Sequence, residues 1–441
     1  MSELFDPVLA AGAVRDEVSD AAWLRALLDV EAALAAAEAD AGLIPREHAD
    51  RIAEVCREGY FDVAEIGAKA VGIGNPAGPL VRELTAQAGS AGQYVHFGAT
   101  SQDVMDSAAM LLAKRALVPL LEDLDAAADQ AARLAREHRE TVQAGRSLLQ
   151  QATPVTFGLT AAGWLSGLDA AAHRLRGVRL AAQLGGATGT LASLGERGPQ
   201  VLAAFSRRLG LDEPVLPWHT ERSRIAELAT ALGELSGVVG GVSRTITLLA
   251  QTEVAEVAEV AEGRGGSSTM PHKRNAIAAI AAQAAAQQAP GLVSTLLGAM
   301  SHELQRAAGS WHAEWRPLTE LVRTTGSAIY WLRTSFERLQ VDPERMRENL
   351  DATGGAILSE RVTTELAAET GRLAAHDAVT ACAKRALAGE GELADLLAED
   401  PLAGKHLTRQ RIEQLLDPAD YLGSARVFVD RVLAERVSSE R

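Results

Sequence analysis

This chain of 441 residues has few cysteines and few aromatic residues. Its two cysteines, Cys56 and Cys382, lie far apart in sequence. They exclude a disulfide framework and a cysteine-based zinc site, and they fit a reducing cytoplasm. Aromatic residues make up only 4% of the chain, whereas apolar residues make up 47%. The core must therefore consist mainly of alanine, leucine and valine, a composition that favours closely packed helices.

The chain also lacks an excess of basic charge, since 58 acidic residues outnumber 43 basic ones and the formal net charge is -15. An acidic chain lacks the basic surface that nucleic acids and anionic membranes require, so we expect neither as a partner. The amino terminus has no basic segment followed by an apolar one, which predicts no signal peptide and a cytoplasmic protein. The longest uncharged run, residues 275–301, is rich in alanine and contains three glutamines. It favours a buried bundle helix over a membrane span.

The alternation of β-branched and polar residues that marks strands is nearly absent, which predicts an all-α fold. Long helical patterns are joined by short glycine or proline breaks, as in a helical bundle. We expect three helical units: residues 1–105, a central long bundle over 106–352, and a small unit of short helices over 353–441. The longest predicted helices follow Ser19-Asp20 or cover about 106–140, 220–262, 277–309 and 317–339, with another that starts near Pro154.

Four glutamates recur at every third position in a Val-Ala-Glu repeat: Glu253, Glu256, Glu259 and Glu262. One interpretation is a metal or acid–base cluster. The other is a solvated helix ridge with small residues packing inward. Because a three-residue step drifts around a helix instead of converging, the pattern favours the solvated ridge.

The stretch Gly265–Asn275 combines glycines, two adjacent hydroxyls and a Lys/Asn pair. Proton abstraction next to a carboxylate creates an enediolate, whose extra negative charge must be met by preorganised donors. Lys273 supplies a cation and Asn275 an amide donor, and Ser267 is the candidate base if amides or a cation lower its pKa. A flexible basic surface loop is the alternative. A phosphate-binding P-loop is excluded because Arg274, not Ser or Thr, follows the lysine.

The sequence of residues 266–275 resembles the signature of the fumarase/aspartase superfamily. Its His-Lys-Arg-Asn ending is similar to the adenylosuccinate lyase and 3-carboxy-cis,cis-muconate cycloisomerase branches. Residues 74–81, 217–224 and 306–315 resemble the cycloisomerase branch. The resemblance implies a homotetramer with a twenty-helix core, active sites shared between three subunits, a small polycarboxylate substrate, and no metal or organic cofactor.

A second match, residues 95–106, resembles the first substrate region of the superfamily. The resemblance implies that Thr100 and Ser101 donate to a substrate carboxylate and that His96 faces the site. Thr100 or Ser101 capping the next helix, with Asp103 completing a capping box, is the alternative. Both interpretations can hold, because the amides at a helix amino terminus bind anions. His96 is either a catalytic or a structural histidine.

Residues 145–158 resemble the second substrate region. Fumarases and adenylosuccinate lyases carry a Thr-His pair where this chain has Ser147 and Leu148. Since a leucine cannot transfer a proton, this difference argues against an ordinary adenylosuccinate lyase. Cycloisomerases typically also lack this histidine. Gln151 remains a candidate amide donor to the substrate.

The stretch 217–224 supplies two more candidates, His219 and Arg222. His219 is a general acid or a carboxylate donor, or else a structural histidine beside Trp218. Arg222 is a substrate carboxylate partner or a surface arginine. His312 and Glu314 lie between two tryptophans, where packing is favoured over catalysis.

The resemblance implies reversible lactonisation of 3-carboxy-cis,cis-muconate, in aromatic catabolism. The chain differs from the cycloisomerase branch at Glu221, Ser223 and Ala276, where members usually have Gln, Asp and Pro. These differences suit a relative that acts on another β-substituted succinate. The alternatives are therefore a fumarate-releasing C–N lyase, such as a nitrosuccinate lyase or an adenylosuccinate lyase-like enzyme, and a non-catalytic helical scaffold.

Overall fold

A computed structural model describes residues 4–261, 270 and 273–439, and helices dominate it. The predicted all-α fold class is confirmed. The α-helices are Asp6–Leu9 (α1), Val14–Glu17 (α2), Asp20–Asp40 (α3), Arg46–Glu58 (α4), Val63–Ala70 (α5), Ala77–Ala88 (α6), Ser101–Glu137 (α7), Phe157–Gly177 (α8), Gly198–Leu209 (α9), Ser223–Leu249 (α10), Ile277–Ala286 (α11), Ala289–Ala299 (α12), Ser310–Arg338 (α13), Pro343–Asp351 (α14), Ser359–Thr370 (α15), Arg372–Leu387 (α16), Leu393–Glu399 (α17), Ala403–His406 (α18), Arg409–Leu415 (α19) and Ala425–Ser439 (α20). Short 3-10 turns cover Gly89–Tyr94, Gly186–Thr188, Ala192–Arg197, Ala356–Leu358 and Pro418–Asp420.

Two small antiparallel sheets accompany the helices. In the first, Val142–Ser147 (β1) pairs with Gln150–Thr156 (β2). In the second, Val257–Glu259 (β3) pairs with Leu339–Val341 (β4). The sequence does not predict these strands, because β3 and β4 have only three residues each, while β1 and β2 contain Gly145 and Pro154, which are typical of breaks between elements.

The first compact unit comprises residues 1–124, 171–240 and 281–331. Its core is built by helices whose apolar residues recur every three or four positions. In α10 the fully buried face consists of Leu228, Leu232, Leu235 and Val239. Alanine and serine between these leucines allow close helix packing.

The second compact unit comprises residues 125–170, 241–280 and 332–441. Helices α15 to α19 have their own apolar core, formed by Val362, Leu366, Ala375, Val379, Cys382, Leu393, Leu396, Leu397, Ala403, Leu407, Ile412 and Leu415. These residues all lie within the predicted carboxy-terminal unit, residues 353–441. The division at residues 105 and 352 stays a proposal.

Several predicted helix boundaries are wrong. The helix predicted for 220–262 covers only 223–249, and the one predicted for 277–309 is two helices that end at residue 299. Pro290 lies in the first turn of α12, where its missing N–H costs nothing. Pro317 lies inside α13 instead of starting it.

The preferred interpretation of the glutamate repeat is also wrong. Glu256 is fully buried and forms an ion pair with Arg146, and Glu259 lies at the end of a strand. Only Glu253 is exposed, while Glu262 lies outside the described residues. The repeat therefore continues as a turn and a strand, not as a solvated helix.

Helix α10 is, within the described part of the chain, long and apolar enough to cross a membrane by length and composition alone. Half of its most apolar window is buried inside the structure. A core helix of a bundle passes the same test, and the leucines of α10 lie in the core of the first unit.

Candidate active site

Thr100 and Ser101 stand at the amino end of α7, where the first backbone N–H groups have no partner within the helix. The backbone N–H of Thr100 donates to Oδ2 of Asp103 at 3.0 Å, which is half of the predicted capping box. Thr100 and Ser101 are both half-buried. Because the start of a long helix attracts anions, this position fits the predicted contact with a carboxylate, which stays a prediction.

Arg306 holds the same helix end. Its Nη1 donates to Oγ1 of Thr100 at 2.6 Å, and its Nε donates to Oε1 of Gln102 at 2.7 Å. Partial burial lowers the pKa of its guanidinium, although the nearby carboxylates of Asp103 and Asp106 act in the opposite direction. The structure thus places a half-buried cation beside the hydroxyl that is predicted to bind substrate.

His219 is buried against the same helix. Its Nε2 lies 2.6 Å from Oδ1 of Asp103, and its backbone carbonyl accepts a hydrogen bond from Gln102. The Asp103 carboxylate also accepts the backbone N–H groups of Gly185 and Gly186, each at 2.9 Å. An acceptor of several N–H groups is best satisfied as a carboxylate, so His219 donates its Nε2 proton to it.

A glycine is required beside this histidine. A Cβ atom on Gly185 would lie 2.8 Å from Cε1 of His219 and 2.7 Å from Cβ of Pro217. The neighbouring Trp218 is buried and donates its indole N–H to the carbonyl of Ala182 at 2.8 Å. These contacts are compatible with both predicted roles of His219, the structural and the catalytic one.

Arg222 is engaged by two carboxylates of its own unit. Its guanidinium donates to both oxygens of Asp106 at 2.8 and 3.1 Å, and to both oxygens of Glu314 at 3.0 and 2.5 Å. Burial acts to lower the pKa of Arg222, but the two carboxylates outweigh it and the pKa is raised. Burial raises the pKa of Glu314. These contacts favour a structural role over the predicted contact with a substrate.

The tryptophans around Glu314 pack as expected. Trp311 and Trp315 meet edge to face at 4.8 Å between ring centroids, and the Trp311 indole donates to Asp106 at 3.0 Å. His312 between them is exposed. Glu314 thus serves the buried ion pair, and the His312 ring packs against the rings of Trp311 and Trp315.

His96 is paired with a carboxylate on α3. Its Nδ1 lies 2.7 Å from Oε1 of Glu31, which is 1% exposed. Burial acts to lower the pKa of His96, but the Glu31 carboxylate outweighs it, so the pKa is raised. His96 adopts a φ of 59°, a conformation that is uncommon outside glycine and occurs at functional sites. These features are compatible with either predicted role.

Gln151 belongs to the second unit, on β2. Its Nε2 donates to the backbone carbonyl of Asn349 at 2.8 Å, and its Oε1 is buried with no hydrogen-bond partner among the described residues. Leu148 and Leu149 form the preceding hairpin turn, with φ values of 52° and 65°. Both leucine side chains are exposed, by 94% and 68%. A strained and solvent-exposed apolar turn therefore stands directly beside this predicted substrate residue.

Lys273 and Asn275 also lie in the second unit, immediately before α11. The backbone N–H of Lys273 donates to the carbonyl of Met270 at 3.0 Å, and that of Ile277 donates to the carbonyl of Asn275 at 2.9 Å. Lys273 is exposed and Asn275 is half-buried. Ser267, the predicted base, lies outside the described residues, so its prediction is untested.

The chain matches two family models and several known proteins along its length. Residues 9–291 match the family model described as "Lyase", and residues 355–432 match "Adenylosuccinate lyase C-terminus". A 3-carboxy-cis,cis-muconate cycloisomerase of Pseudomonas aeruginosa is 45% identical over 98% of this chain and 96% of its own length. The chain belongs to the fumarase/aspartase superfamily. It is an enzyme of that superfamily and is similar in sequence and structure to its cycloisomerase branch.

Two further superfamily members match this chain over most of its length. The nitrosuccinate lyase of Streptomyces davaonensis is 41% identical over 98% of this chain and 94% of its own length. The crystal structure of the 3-carboxy-cis,cis-muconate lactonizing enzyme from Pseudomonas putida superposes with a TM-score of 0.94 at 40% identity, covering 100% of both chains.

Among the residues that the structure describes in this superfamily member, no group of three or more His, Cys, Asp or Glu side chains is placed to hold a metal ion. The described part of the candidate site consists of hydroxyls, amides, histidines, two arginines and a lysine. Such a set suits the recognition of carboxylates and the transfer of protons.

The sequence analysis missed Arg306 and the role of Asp103. Arg306 heads the stretch 306–315, which resembles the cycloisomerase branch, but its partners Thr100 and Gln102 lie far away in sequence. Asp103 was considered only as part of a capping box. Its contact with His219 joins residues far apart in sequence, so no local pattern reveals it.

Proposed function

We propose that this chain catalyses the reversible lactonisation of 3-carboxy-cis,cis-muconate. The observation that carries the proposal is the arrangement of Arg306, Thr100 and Gln102 at the amino end of α7, in a chain similar over its whole length to a cycloisomerase. A cation, a hydroxyl and a helix amino terminus together favour a carboxylate, and the substrate carries three.

The proposed reaction passes through an enediolate intermediate. In the lactonising direction a carboxylate oxygen adds to one carbon of a double bond, and the electron pair moves toward a second carboxylate to give the enediolate. A proton then adds to the carbon beside that carboxylate. In reverse, Ser267 removes this proton, Lys273 and Asn275 hold the carboxylate, and the ring oxygen leaves. His219, oriented by Asp103, supplies the second proton-transfer group where the leaving group needs one.

A fumarate-releasing C–N lyase is the second candidate, because the nitrosuccinate lyase of Streptomyces davaonensis is 41% identical to this chain. Elimination of nitrite from nitrosuccinate passes through the same enediolate and needs the same donors. An adenylosuccinate lyase-like activity is less favoured, since Leu148 replaces the histidine and is exposed on a turn. Superfamily membership along most of the chain argues against a scaffold.

We further infer a homotetramer with shared active sites in the cytoplasm, with no metal or organic cofactor. Leu148 and Leu149 support the assembly, because a strained apolar turn of this kind is costly to leave in water. Ile277, Ile280 and Leu297 of the uncharged stretch are also partly exposed, by 43%, 49% and 43%. Sedimentation equilibrium tests the tetramer, and a stable monomer would contradict it. The two free, buried cysteines are compatible with a reducing compartment.

The substrate is tested by incubating the purified protein with 3-carboxymuconate, adenylosuccinate and nitrosuccinate. Loss or gain of the conjugated absorbance is followed, together with fumarate. Turnover of 3-carboxymuconate alone supports the cycloisomerase, whereas formation of fumarate supports the lyase. Ser267→Ala is expected to lower turnover by at least ~10²-fold if this serine transfers the proton. Near-normal turnover would remove Ser267 from that role.

A further inference from the structure

Glu259, a member of the glutamate repeat, caps a helix that lies after the signature sequence. Its Oε2 accepts the backbone N–H of Ala278 at 2.9 Å, and its Oε1 accepts that of Ala279 at 2.8 Å. These N–H groups belong to the first turn of α11, where no intrahelical carbonyl can reach them. A carboxylate in this position also interacts favourably with the helix dipole.

The cap is needed because the local sequence supplies none. Ala276 precedes the helix and its carbonyl accepts the N–H of Ile280 at 2.9 Å, so it occupies the capping position without a side-chain acceptor. The N–H of Ile277 is already used by the carbonyl of Asn275. The next two N–H groups therefore take their acceptor from a residue on the far side of the signature sequence.

Glu259 is itself held in place from two directions. Its backbone lies in β3, where it pairs with Leu339 of β4. Ser335 donates its hydroxyl to Oε1 of Glu259 at 2.6 Å, and Ser335 is fully buried. The carboxylate thus joins the end of a strand to the start of a helix, and the backbone between them carries Lys273 and Asn275.

We propose that Glu259 is a positioning residue for Lys273 and Asn275. It fixes the first turn of α11, and thereby fixes the place and direction of the backbone two and four residues before that turn. The inference rests on the proposed function, in which Lys273 and Asn275 hold a substrate carboxylate. A clamp of this kind is sensitive to small displacements, because a shift of about 1 Å costs on the order of 10²-fold in rate.

Glu259→Gln provides the test. Its amide oxygen can accept one N–H, but its NH₂ group faces the second N–H and the Ser335 hydroxyl, so the cap is broken with almost no change in size. Glu253→Gln is the matched control, since Glu253 belongs to the same repeat and is exposed. Hydrogen exchange of the peptide that spans residues 273–282, the melting temperature, KM and kcat are measured for both.

We expect Glu259→Gln to exchange faster in residues 273–282 and to raise KM on the order of 10-fold or more, with a smaller change in kcat. Glu253→Gln is expected to match the wild type. Unchanged exchange and unchanged KM in Glu259→Gln would overturn the proposal. So would faster exchange throughout the second unit with unchanged KM, since that result describes a purely structural residue.

A second variant and a second readout cover two cases, an unstable Glu259→Gln and an inactive wild type. If Glu259→Gln cannot be purified, Ser335→Ala replaces it, and the same changes are expected in smaller size; their absence overturns the proposal. If the wild type turns over none of the three acids, the proposed function fails, and the exchange experiment still decides the cap. Local loss of protection in residues 273–282 then supports the positioning by Glu259, and unchanged protection refutes it.

Discussion

Asp103 holds His219 through Nε2, at 2.6 Å from its Oδ1. The same carboxylate accepts the N–H groups of Gly185, Gly186 and Thr100, so it acts only as an acceptor. The Nε2 atom of His219 therefore carries a proton, and Nδ1 is the ring nitrogen that is left for proton transfer. One carboxylate thus sets both the start of α7 and the tautomer of a candidate catalytic histidine.

Replacing Asp103 by Asn is expected to lower kcat by at least ~10²-fold, because the amide stabilises the other tautomer of His219. Steady-state kinetics and the melting temperature are measured together, since Asp103 also caps α7. Glu213→Gln is the control, because Glu213 is an exposed acid of the segment that precedes His219. A kcat near that of the wild type would exclude His219 as the proton-transfer group.

Arg306→Lys tests the carboxylate site. Lysine keeps the charge but loses the two-pronged contact with Thr100 and Gln102, so KM for a tricarboxylate is expected to rise ~10- to 100-fold with less effect on kcat. Arg316→Lys, at an exposed arginine, is the matched control. An unchanged KM in Arg306→Lys would mean that this guanidinium only holds the helix end.

Arg222→Met separates a structural arginine from a substrate contact. Removal of the guanidinium leaves Asp106 and Glu314 buried without compensation, which is expected to cost about 3–5 kcal/mol of stability. Urea unfolding monitored by circular dichroism measures this cost. Retained stability together with a large increase in KM would instead support the contact with substrate that the sequence suggested.

The sequence predicted those structural features that depend on a repeating pattern or on residues close together in the chain. The helices follow from apolar spacing, and the capping box at Thr100 follows from residues three positions apart. Short elements were missed, because three residues of β3 carry no period. The Val-Ala-Glu repeat was interpreted as a helix ridge since its spacing alone contains no information about Arg146, which buries Glu256 from a distant strand.

The candidate site could likewise be predicted only in part. Thr100, His219 and Lys273 were found by their resemblance to superfamily motifs, but the resemblance does not name their partners. Arg306 and Asp103 act through contacts between distant segments, which only the fold brings together. Arg222 was predicted to be a substrate contact or a surface arginine, and its partners Asp106 and Glu314 lie on other helices, where no local pattern reveals them.

Glu38 makes stability depend on pH. It is fully buried, neither of its oxygens has a hydrogen-bond partner among the described residues, and burial together with the charge of Glu31 raises its pKa to about 9. The folded state therefore keeps a proton that the unfolded state releases above pH 4.5. Stability must fall as pH rises from about 4.5 to 9, and the raised pKa of His96 acts in the same direction.

Glu38→Gln removes this proton uptake. The variant is expected to be more stable than the wild type at neutral pH by up to about 3 kcal/mol. It is also expected to lose less stability between pH 5 and pH 9. Both expectations follow from the linkage between protonation and folding. Melting temperatures across this range measure both effects. Parallel pH curves for the variant and the wild type would show that Glu38 titrates normally in the folded protein.

Mixing two inactive variants tests whether sites are shared between subunits. Ser267→Ala removes the candidate base, and His219→Ala removes a group held at α7. If one pocket takes Ser267 and His219 from different chains, some pockets of a mixed tetramer contain both wild-type residues. Unfolding and refolding the two variants together at equal amounts is then expected to restore up to about a quarter of wild-type activity, because random assembly leaves that share of pockets intact.

Each variant refolded alone provides the control. Activity that stays at the level of the separate variants, in tetramers shown to be mixed, would place both residues in one chain's pocket.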